Sequence, residues 1–254
     1  MRNITALAGL LIVMLLPLTT AIAQEEEPEF TDEFPLEDCS FKPWGGNPYF
    51  ILKPGRQLYL SNLRCVDAGE CDELEEVWIT VKKDLRKIRL PLDHKVRHVW
   101  TRVVEERETA DSELKEVSRN FFADCRPTHD VYYFGEDVDI YENGVIVDHS
   151  GAWLTGKHGA MPGIIMPESA FIVGSRYFQE VAPGVALDRA EHAATGEEVE
   201  VPAGVFEDCI EVTETTPLNP DEESTKVYCR DIGLVIDGDL ELHAIFGDDD
   251  KNDD

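Results

Sequence analysis

Two cysteines, Cys209 and Cys229, lie at equal distances on either side of residue 219. Each stands in a run of residues typical of strands, and Asn219-Pro220 between the runs is typical of a turn. Two antiparallel strands folded about this turn would bring the two side chains together. The sequence therefore predicts a hairpin joined by a disulfide, in a protein that leaves the reducing cytosol.

Strand alternation assigns a face of this hairpin to each side chain. In the register that pairs the cysteines, the apolar side chains that share one face are Phe206, Ile210, Val212 and Tyr228. Glu207 and Glu211 share the opposite face with the disulfide. The bond is therefore predicted to be a structural link on a sheet, with no redox or metal role.

The chain contains 6 cysteines, and an even count in an exported chain favours disulfides over metal binding or catalysis. Cys65 and Cys71 flank a short polar loop and are predicted to pair. Cys39 and Cys125 remain, and their bond would tie the N-terminal segment to the body of the fold. No C-x-x-C motif is present, so a thiol oxidoreductase is not expected.

Residues 1–23 have the pattern of a secretory signal peptide, with Arg2 before an apolar stretch and Ala21 and Ala23 at a small-x-small cleavage site. The apolar stretch is shorter than the roughly 20 residues needed to span a bilayer. No membrane span is therefore predicted. The expected location is secreted or periplasmic.

The formal net charge is −29, and much of it lies at the two ends. Residues 24–39 are predicted to form an acidic disordered leader, and residues 247–254 an acidic tail. Nucleic acid is not an expected partner, because a polyanion would be repelled. Calcium binding is an alternative reading of the acidic runs, although these lack the fixed spacing of a calcium loop.

The segment between these ends, residues 40–246, reads as one mostly antiparallel β domain with long irregular loops. Asn143-Gly144 is a strong hairpin signal in its centre. Residues 106–116 are predicted to form either a hairpin tip or a short helix. Residues 156–174 are rich in Gly and Pro and are expected to be irregular.

Three stretches carry a resemblance to a known group of proteins. They are NPYFILKPGRQLYL near the start, DVYYFGEDVDIYENGVIVDHSGAW in the middle, and VPAGVF with GLV near the end. Together they resemble a largely uncharacterised family of secreted bacterial β-rich proteins. The resemblance implies a single, strongly curved antiparallel sheet or an incomplete barrel. It implies export, and it implies no catalytic residue.

Ionisable side chains gather on two predicted strands, residues 175–181 and 185–193. The candidate catalytic residues are His158, Tyr177, Glu180, Asp188, Arg189 and His192. A carboxylate beside a histidine can act as a general acid or base, and an arginine can hold an anionic substrate. The alternatives are cross-strand salt bridges, which are common on solvated sheets, and a ligand site without catalysis.

Two histidines and several aromatic residues complete the candidates. His94 and His98 have the spacing of zinc ligands on a helix, but on a strand they would lie ~13 Å apart, too far to share an ion. Trp44, Tyr133 and Trp153 are candidate ligand-binding residues on a concave face, with a role in the core as the alternative reading. No metal and no cofactor is predicted.

The function that best fits these features is an exported soluble β protein without assured catalysis. It would bind an apolar or amphiphilic ligand, or a partner protein, outside the cytosol. One alternative is an extracellular hydrolase or lyase that uses the His/Asp/Glu/Arg cluster. A second alternative is a calcium-dependent extracellular module.

Overall fold

The computed structural model describes residues 29–126, 128–168 and 171–247. The predicted signal peptide and nearly all of the predicted acidic tail lie outside these ranges. The first strands are β1 (Ser40–Lys42), β2 (Gly46–Asn47), β3 (Phe50–Ile51), β4 (Gln57–Ser61), β5 (Glu75–Leu92), β6 (Lys95–Ala110), β7 (Glu113–Arg126), β8 (Asp130–Glu142) and β9 (Val145–Asp148). The others are β10 (Trp153–Leu154), β11 (Met161–Met166), β12 (Arg176–Phe178), β13 (Glu180–Val181), β14 (Arg189–Val201), β15 (Gly204–Thr216), β16 (Asn219–Cys229), β17 (Gly233–Asp237) and β18 (Leu240–Phe246).

All of these strands except β2 and β3, which pair with each other, form one large antiparallel sheet that curves until it is nearly closed into a barrel with an unsealed seam. The order around the sheet is β12-β14-β15-β16-β17-β18-β4-β5-β6-β7-β8-β11-β13. The two edge strands β12 and β13 follow each other in the chain, so residues 176–181 cross from one edge of the sheet to the other. The prediction of a strongly curved sheet or incomplete barrel is confirmed.

Two turns show how the central strands are connected. Asp111 and Ser112 have φ angles of 49° and 68° and form the turn between β6 and β7. The predicted hairpin tip is therefore present, and the alternative of a short helix over residues 106–116 is wrong. Asn143 and Gly144 also have positive φ angles, 51° and 75°, and connect β8 to β9 as predicted.

The Gly/Pro-rich segment is less irregular than expected, because β11 includes both Pro162 and Gly163. A side chain at Gly163 would place its Cβ 2.3 Å from the carbonyl oxygen of Phe178. Glycine is therefore what allows the crossing segment to lie against β11, and the expectation that no strand forms here is wrong. One short helix lies in the part of the chain that the structure describes, α1 (Leu63–Ala68), and it carries Cys65, whose partner Cys71 follows the end of the helix. No helix in the described ranges is long and apolar enough to cross a membrane.

Three apolar clusters hold the sheet together. The first fills the barrel and includes Val104, Phe122, Tyr133, Val212 and Tyr228. The second lies on the outer face of β6, β7 and β8, where the N-terminal segment covers it. The third joins β4 with β15 to β18 and with the tip of the β14–β15 hairpin.

Residues 29–39 of the N-terminal segment pack on the barrel. Thr31 pairs with Tyr177 in a parallel β-bridge, and the backbone of Thr31 bonds to Arg176 and Phe178. Leu36 is buried in the second apolar cluster, and Phe34 packs against the first and the second. The prediction of a disordered leader is therefore wrong for residues 29–39, because these apolar side chains are spaced between the acidic ones and pack on the barrel. Residues 24–28 lie outside the described ranges.

All three predicted disulfides are present: Cys39–Cys125, Cys65–Cys71 and Cys209–Cys229. None of the six cysteines is free. Cys209 and Cys229 are direct cross-strand neighbours, so the predicted register of the hairpin is confirmed.

The predicted faces of this hairpin are only partly correct. Ile210, Val212 and Tyr228 point into the barrel, but Phe206 packs with Cys209 in the third cluster. The pairing of β14 with β15 shifts by one residue next to Asp208, which has a φ of 53°. Such a bulge turns every later side chain to the other face. The disulfide is also fully buried in that cluster rather than beside solvated glutamates.

The loop Gly45–Leu52 closes one end of the barrel, and we call it the plug. Asn47 fixes its shape: its side-chain amide donates to the carbonyls of His129 and Met166, and its carbonyl accepts bonds from the amides of Tyr49 and Phe50. Tyr49, Phe50 and Leu52 then pack into the barrel interior. The plug thus forms one end of the space inside the barrel.

The loss of stability on removal of a disulfide is expected to grow with the length of the loop that the disulfide closes. The Cys39–Cys125 bond closes a loop of 86 residues and the Cys65–Cys71 bond a loop of 6. Replacing the first pair by alanine should lower the free energy of unfolding by about 4 kcal/mol, and replacing the second pair by about 1–2 kcal/mol. Urea denaturation of both double variants measures this difference. Equal losses would contradict the loop-entropy account.

Candidate functional site

A cavity of about 100 Å³ lies inside the barrel, next to the plug. Most of its wall is apolar, with Val81, Val104, Phe122 and Leu234 among the lining residues. Its polar lining groups are Arg56, Glu106, Lys226, Tyr228 and Asp237. We call this space the barrel cavity. Apolar and ionisable groups meet in it.

Strand alternation explains why charged groups reach the interior. Val104 is buried in the barrel core, and Glu106 lies two residues further along β6 on the same face. Tyr228 and Lys226 have the same relation on β16, as Val212 and Glu214 have on β15. Along β6, β15 and β16 the inward-facing side chains are therefore apolar in one half of the barrel and charged in the other half, which we call the polar half.

Lys226 is the cation at the centre of the polar half. Its Nζ lies 3.2 Å from Oε2 of Glu214 and 3.4 Å from Oδ2 of Asp237. Burial alone would lower the pKa of Lys226, but the two carboxylates more than offset this, so its pKa is raised well above the usual value. Lys226 is therefore charged at neutral pH and holds β15 and β17 to β16.

Carboxyl groups on β6, β7 and β8 form the opposite wall of the polar half. Burial raises the pKa of Glu106 to about 7, that of Glu108 to about 7 and that of Glu136 to about 8. Glu116, the cross-strand neighbour of Glu108, also has a raised pKa because of burial. Glu106, Glu108 and Glu136 therefore exchange protons near neutral pH, so the wall both donates and accepts hydrogen bonds and attracts a cation.

Two of the predicted catalytic residues form a buried pair. The Tyr177 hydroxyl lies 3.0 Å from Nε2 of His192, and His192 is only 1% exposed. Burial lowers the pKa of His192 to about 4 and raises that of Tyr177 well above 10. Both are therefore neutral at pH 7. Neither lines the barrel cavity.

Glu180 and Asp188 form a second pair. The backbone amide of Asp188 donates to Oε1 of Glu180 over 2.7 Å. Burial, with Asp188 as the next cause, raises the pKa of Glu180 well above its usual value. The chain breaks its strand at Gln179, between β12 and β13, and Gln179 itself donates to Glu214 over 2.6 Å. Both Gln179 and Glu180 are thereby buried.

The other two predicted catalytic residues lie apart from these pairs. Arg189 bonds to the hydroxyl of Thr215 and stacks on the ring of Phe30, 4.4 Å from its centroid. His158 is exposed, in the turn between β10 and β11. The structure thus divides the six candidates into the buried pair Tyr177–His192, the pair of buried Glu180 with exposed Asp188, and two separate residues, rather than into one site.

The predicted ligand-binding aromatics are also divided. Tyr133 and Trp153 are buried and pack edge to face, with their ring centroids 5.2 Å apart, and Tyr133 donates to Asn120 over 2.5 Å. They belong to the barrel core, as the alternative reading had it. Trp44 is 52% exposed and lies outside the barrel. His94 and His98 are both exposed, in the β5–β6 turn and on β6.

The groups that line the polar half are not among the site residues predicted from the sequence. Those residues are Glu106, Glu108, Glu116, Glu136, Glu214, Lys226 and Asp237. Two of them could have been predicted. Glu214 lies two residues after Val212, and Lys226 lies two residues before Tyr228, so strand alternation places both on the inward face of the predicted hairpin. Comparisons with models of protein families, with curated proteins and with solved structures gave no match to this chain.

Proposed function

We propose that the protein binds a small amphiphilic ligand in the barrel cavity and that its binding activity needs no catalysis. The ligand has a short apolar body and a cationic head, such as an amine. The supporting observation is that apolar walls lead to Glu106, Asp237 and Lys226 at one end of the same cavity. Arg56, the other cation of the lining, donates to the carbonyl oxygen of Ile232 over 2.6 Å. The carboxyl groups of Glu106, Glu214 and Asp237 outnumber Lys226 in the polar half, which favours a positive head.

The cavity size limits the ligand. Its volume of about 100 Å³ equals that of roughly three or four liquid water molecules. A chain of about four carbons therefore fills it, and each buried methylene should contribute about 0.8 kcal/mol, or about fourfold in affinity. Export is part of the proposal, since three disulfides are typical of an oxidising compartment. Membership of the secreted β-rich family also remains a proposal.

Binding of linear amines, observed by NMR titration, tests this function. Affinity should rise about fourfold per carbon and then level off near butylamine. Butanol should bind more weakly, and butyrate should not bind. Val104→Phe should abolish binding, because Val104 lines the cavity. Val205→Phe is the matched control, because Val205 is 58% exposed outside it. Equal binding by both variants, or no preference for the amine, would reject the proposal.

The earlier alternatives are less well supported. A hydrolase or lyase would need its acid, base and substrate within hydrogen-bond reach, and the six candidates are divided between separate places. This alternative would regain support if the wild type acted on an extracellular substrate and the Tyr177→Phe or His192→Ala variant lost that activity. The calcium-dependent module stays a prediction, which calorimetry with calcium tests.

A further inference from the structure

The long β5–β6 hairpin is basic in an otherwise acidic protein. Between residues 82 and 102 the chain carries eight Lys or Arg and two Asp, a net charge of +6, whereas the formal charge of the whole chain is −29. We call this stretch the basic hairpin. Positive charge is thereby concentrated on one projection of the molecule.

One face of the basic hairpin is buried and the other is exposed. Ile88 and Val99 pair across the two strands and lie in the second apolar cluster. On the alternate face, Lys87 is the cross-strand neighbour of Trp100, and Arg89 that of His98. Lys87, Arg89, His98 and Trp100 are all exposed. The free face therefore alternates cationic and aromatic side chains.

Large apolar side chains protrude from the same region. Trp44 is 52% exposed, Leu85 43%, Val96 46% and Trp100 49%. Trp44, Leu85 and Trp100 line one open groove, together with Lys42 and His98. Exposed apolar groups gathered beside basic ones mark an interaction surface more often than isolated exposed residues do.

We propose that the basic hairpin and Trp44 dock this protein on the surface of an anionic lipid bilayer. Tryptophan rings favour the headgroup level of a membrane, and aliphatic side chains enter the layer below it. Lys and Arg next to them are attracted by anionic headgroups. The rest of the chain is acidic, so only this face can approach such a surface closely. The inference is independent of the proposed ligand.

The apolar groups favour a bilayer over a soluble polyanion such as an acidic polysaccharide. Lys42 lies 6.0 Å from the ring centre of Trp44, and Lys87 lies 5.8 Å from that of Trp100. A sugar would need these ring faces for stacking, whereas a bilayer accepts the ring edges and the lysines together. Leu85 and Val96 have an apolar environment only in the bilayer.

Vesicle flotation with the intact protein tests the docking. Binding is expected to vesicles of phosphatidylcholine with about 30% phosphatidylglycerol, and not to phosphatidylcholine alone. It should fall when salt rises from about 0.1 M to about 1 M, because the Debye length shrinks from about 10 Å to about 3 Å. Equal binding to both vesicles, or binding to dextran sulfate without binding to vesicles, would overturn the proposal.

Two double variants separate charge from apolar insertion. Lys87→Glu with Arg89→Glu should weaken partitioning at least about tenfold, whereas Lys115→Glu with Lys157→Glu makes the same charge change elsewhere and should weaken it much less. Trp44→Ser with Trp100→Ser should also weaken it severalfold, compared with Val145→Ser and Val147→Ser on the exposed β9. Unchanged melting temperatures confirm folding. If the control variants lose as much vesicle binding as the test variants, the basic hairpin is not the docking site.

Discussion

Replacing Lys226 with methionine is expected to lower the free energy of unfolding by about 3 kcal/mol at about pH 8. Methionine has a similar length but leaves Glu214 and Asp237, both less than a third exposed, without their cation. Removing one partner of a buried ion pair is costly, because the remaining charges stay desolvated. Urea denaturation of the wild type and the variant gives the difference.

Two controls distinguish this loss from a general effect of removing a lysine. Lys115→Met removes an exposed lysine that pairs only with Glu113 on the surface, and it should cost less than about 0.5 kcal/mol. Adding Asp237→Asn to Lys226→Met should restore part of the loss, since it removes one of the orphaned charges. A loss for Lys226→Met no larger than for Lys115→Met would show that the interior pair does not stabilise the barrel.

The protein is expected to be most stable in mildly acidic solution, losing about 3 kcal/mol between pH 5 and pH 8. Glu106 and Glu108 have pKa values of about 7 in the fold and Glu136 of about 8, against an ordinary value of 4.5. Between pH 4.5 and 8 the folded state therefore binds more protons than the unfolded state. This contribution is complete below pH 4.5 and is lost as the pH rises through 7 and 8. We expect less than the sum of the three shifts, since partial exposure screens them.

His192 acts in the opposite direction at lower pH. Its pKa is lowered from 6.5 to about 4, so its contribution is present above pH 6.5 and is lost as the pH falls towards 4. The two effects together place the maximum near pH 5 to 6. Denaturation curves across this range, with Glu106→Gln/Glu136→Gln, check the assignment.

The double glutamine variant should flatten the decline above pH 6. Glu222→Gln/Glu223→Gln changes two exposed glutamates on β16 and should leave the slope unchanged. A stability that rises from pH 5 to pH 8, or an equal slope in the Glu106→Gln/Glu136→Gln variant, would mean that these carboxyl groups are solvated rather than buried.

Local sequence signals predicted much of this fold. The pairs Cys65–Cys71 and Cys209–Cys229 are close in sequence, and turn residues such as Asn143-Gly144 act over a few positions. The antiparallel β class was predicted from strand and turn signals, whereas the strong curvature of the sheet was expected only from a resemblance. Long-range features were harder, because the pairing of residues 176–181 with both edges of the sheet depends on strands far away in the chain.

The predictions of which side of the sheet a side chain faces were wrong where the strands are irregular. β14 shifts its register against β15 at three points, and each shift by one residue exchanges the two faces, as Phe206 shows. The polar half of the barrel was missed for a related reason. Glu106 and Glu108 lie in a run of charges that reads as solvated, and only the closure of the sheet encloses them.

The pairing of β18 with β4 has a consequence for how the chain acquires its structure. Gln57 pairs with Phe246, 189 positions later in the chain. At a synthesis rate of roughly 5–20 residues per second, about 10–40 s pass between the appearance of these two strands at the ribosome. During that interval β4 lacks a neighbour on one side, so the nascent chain cannot complete its barrel. This delay suits the proposed export, because a chain without a completed barrel can pass through a narrow translocation channel.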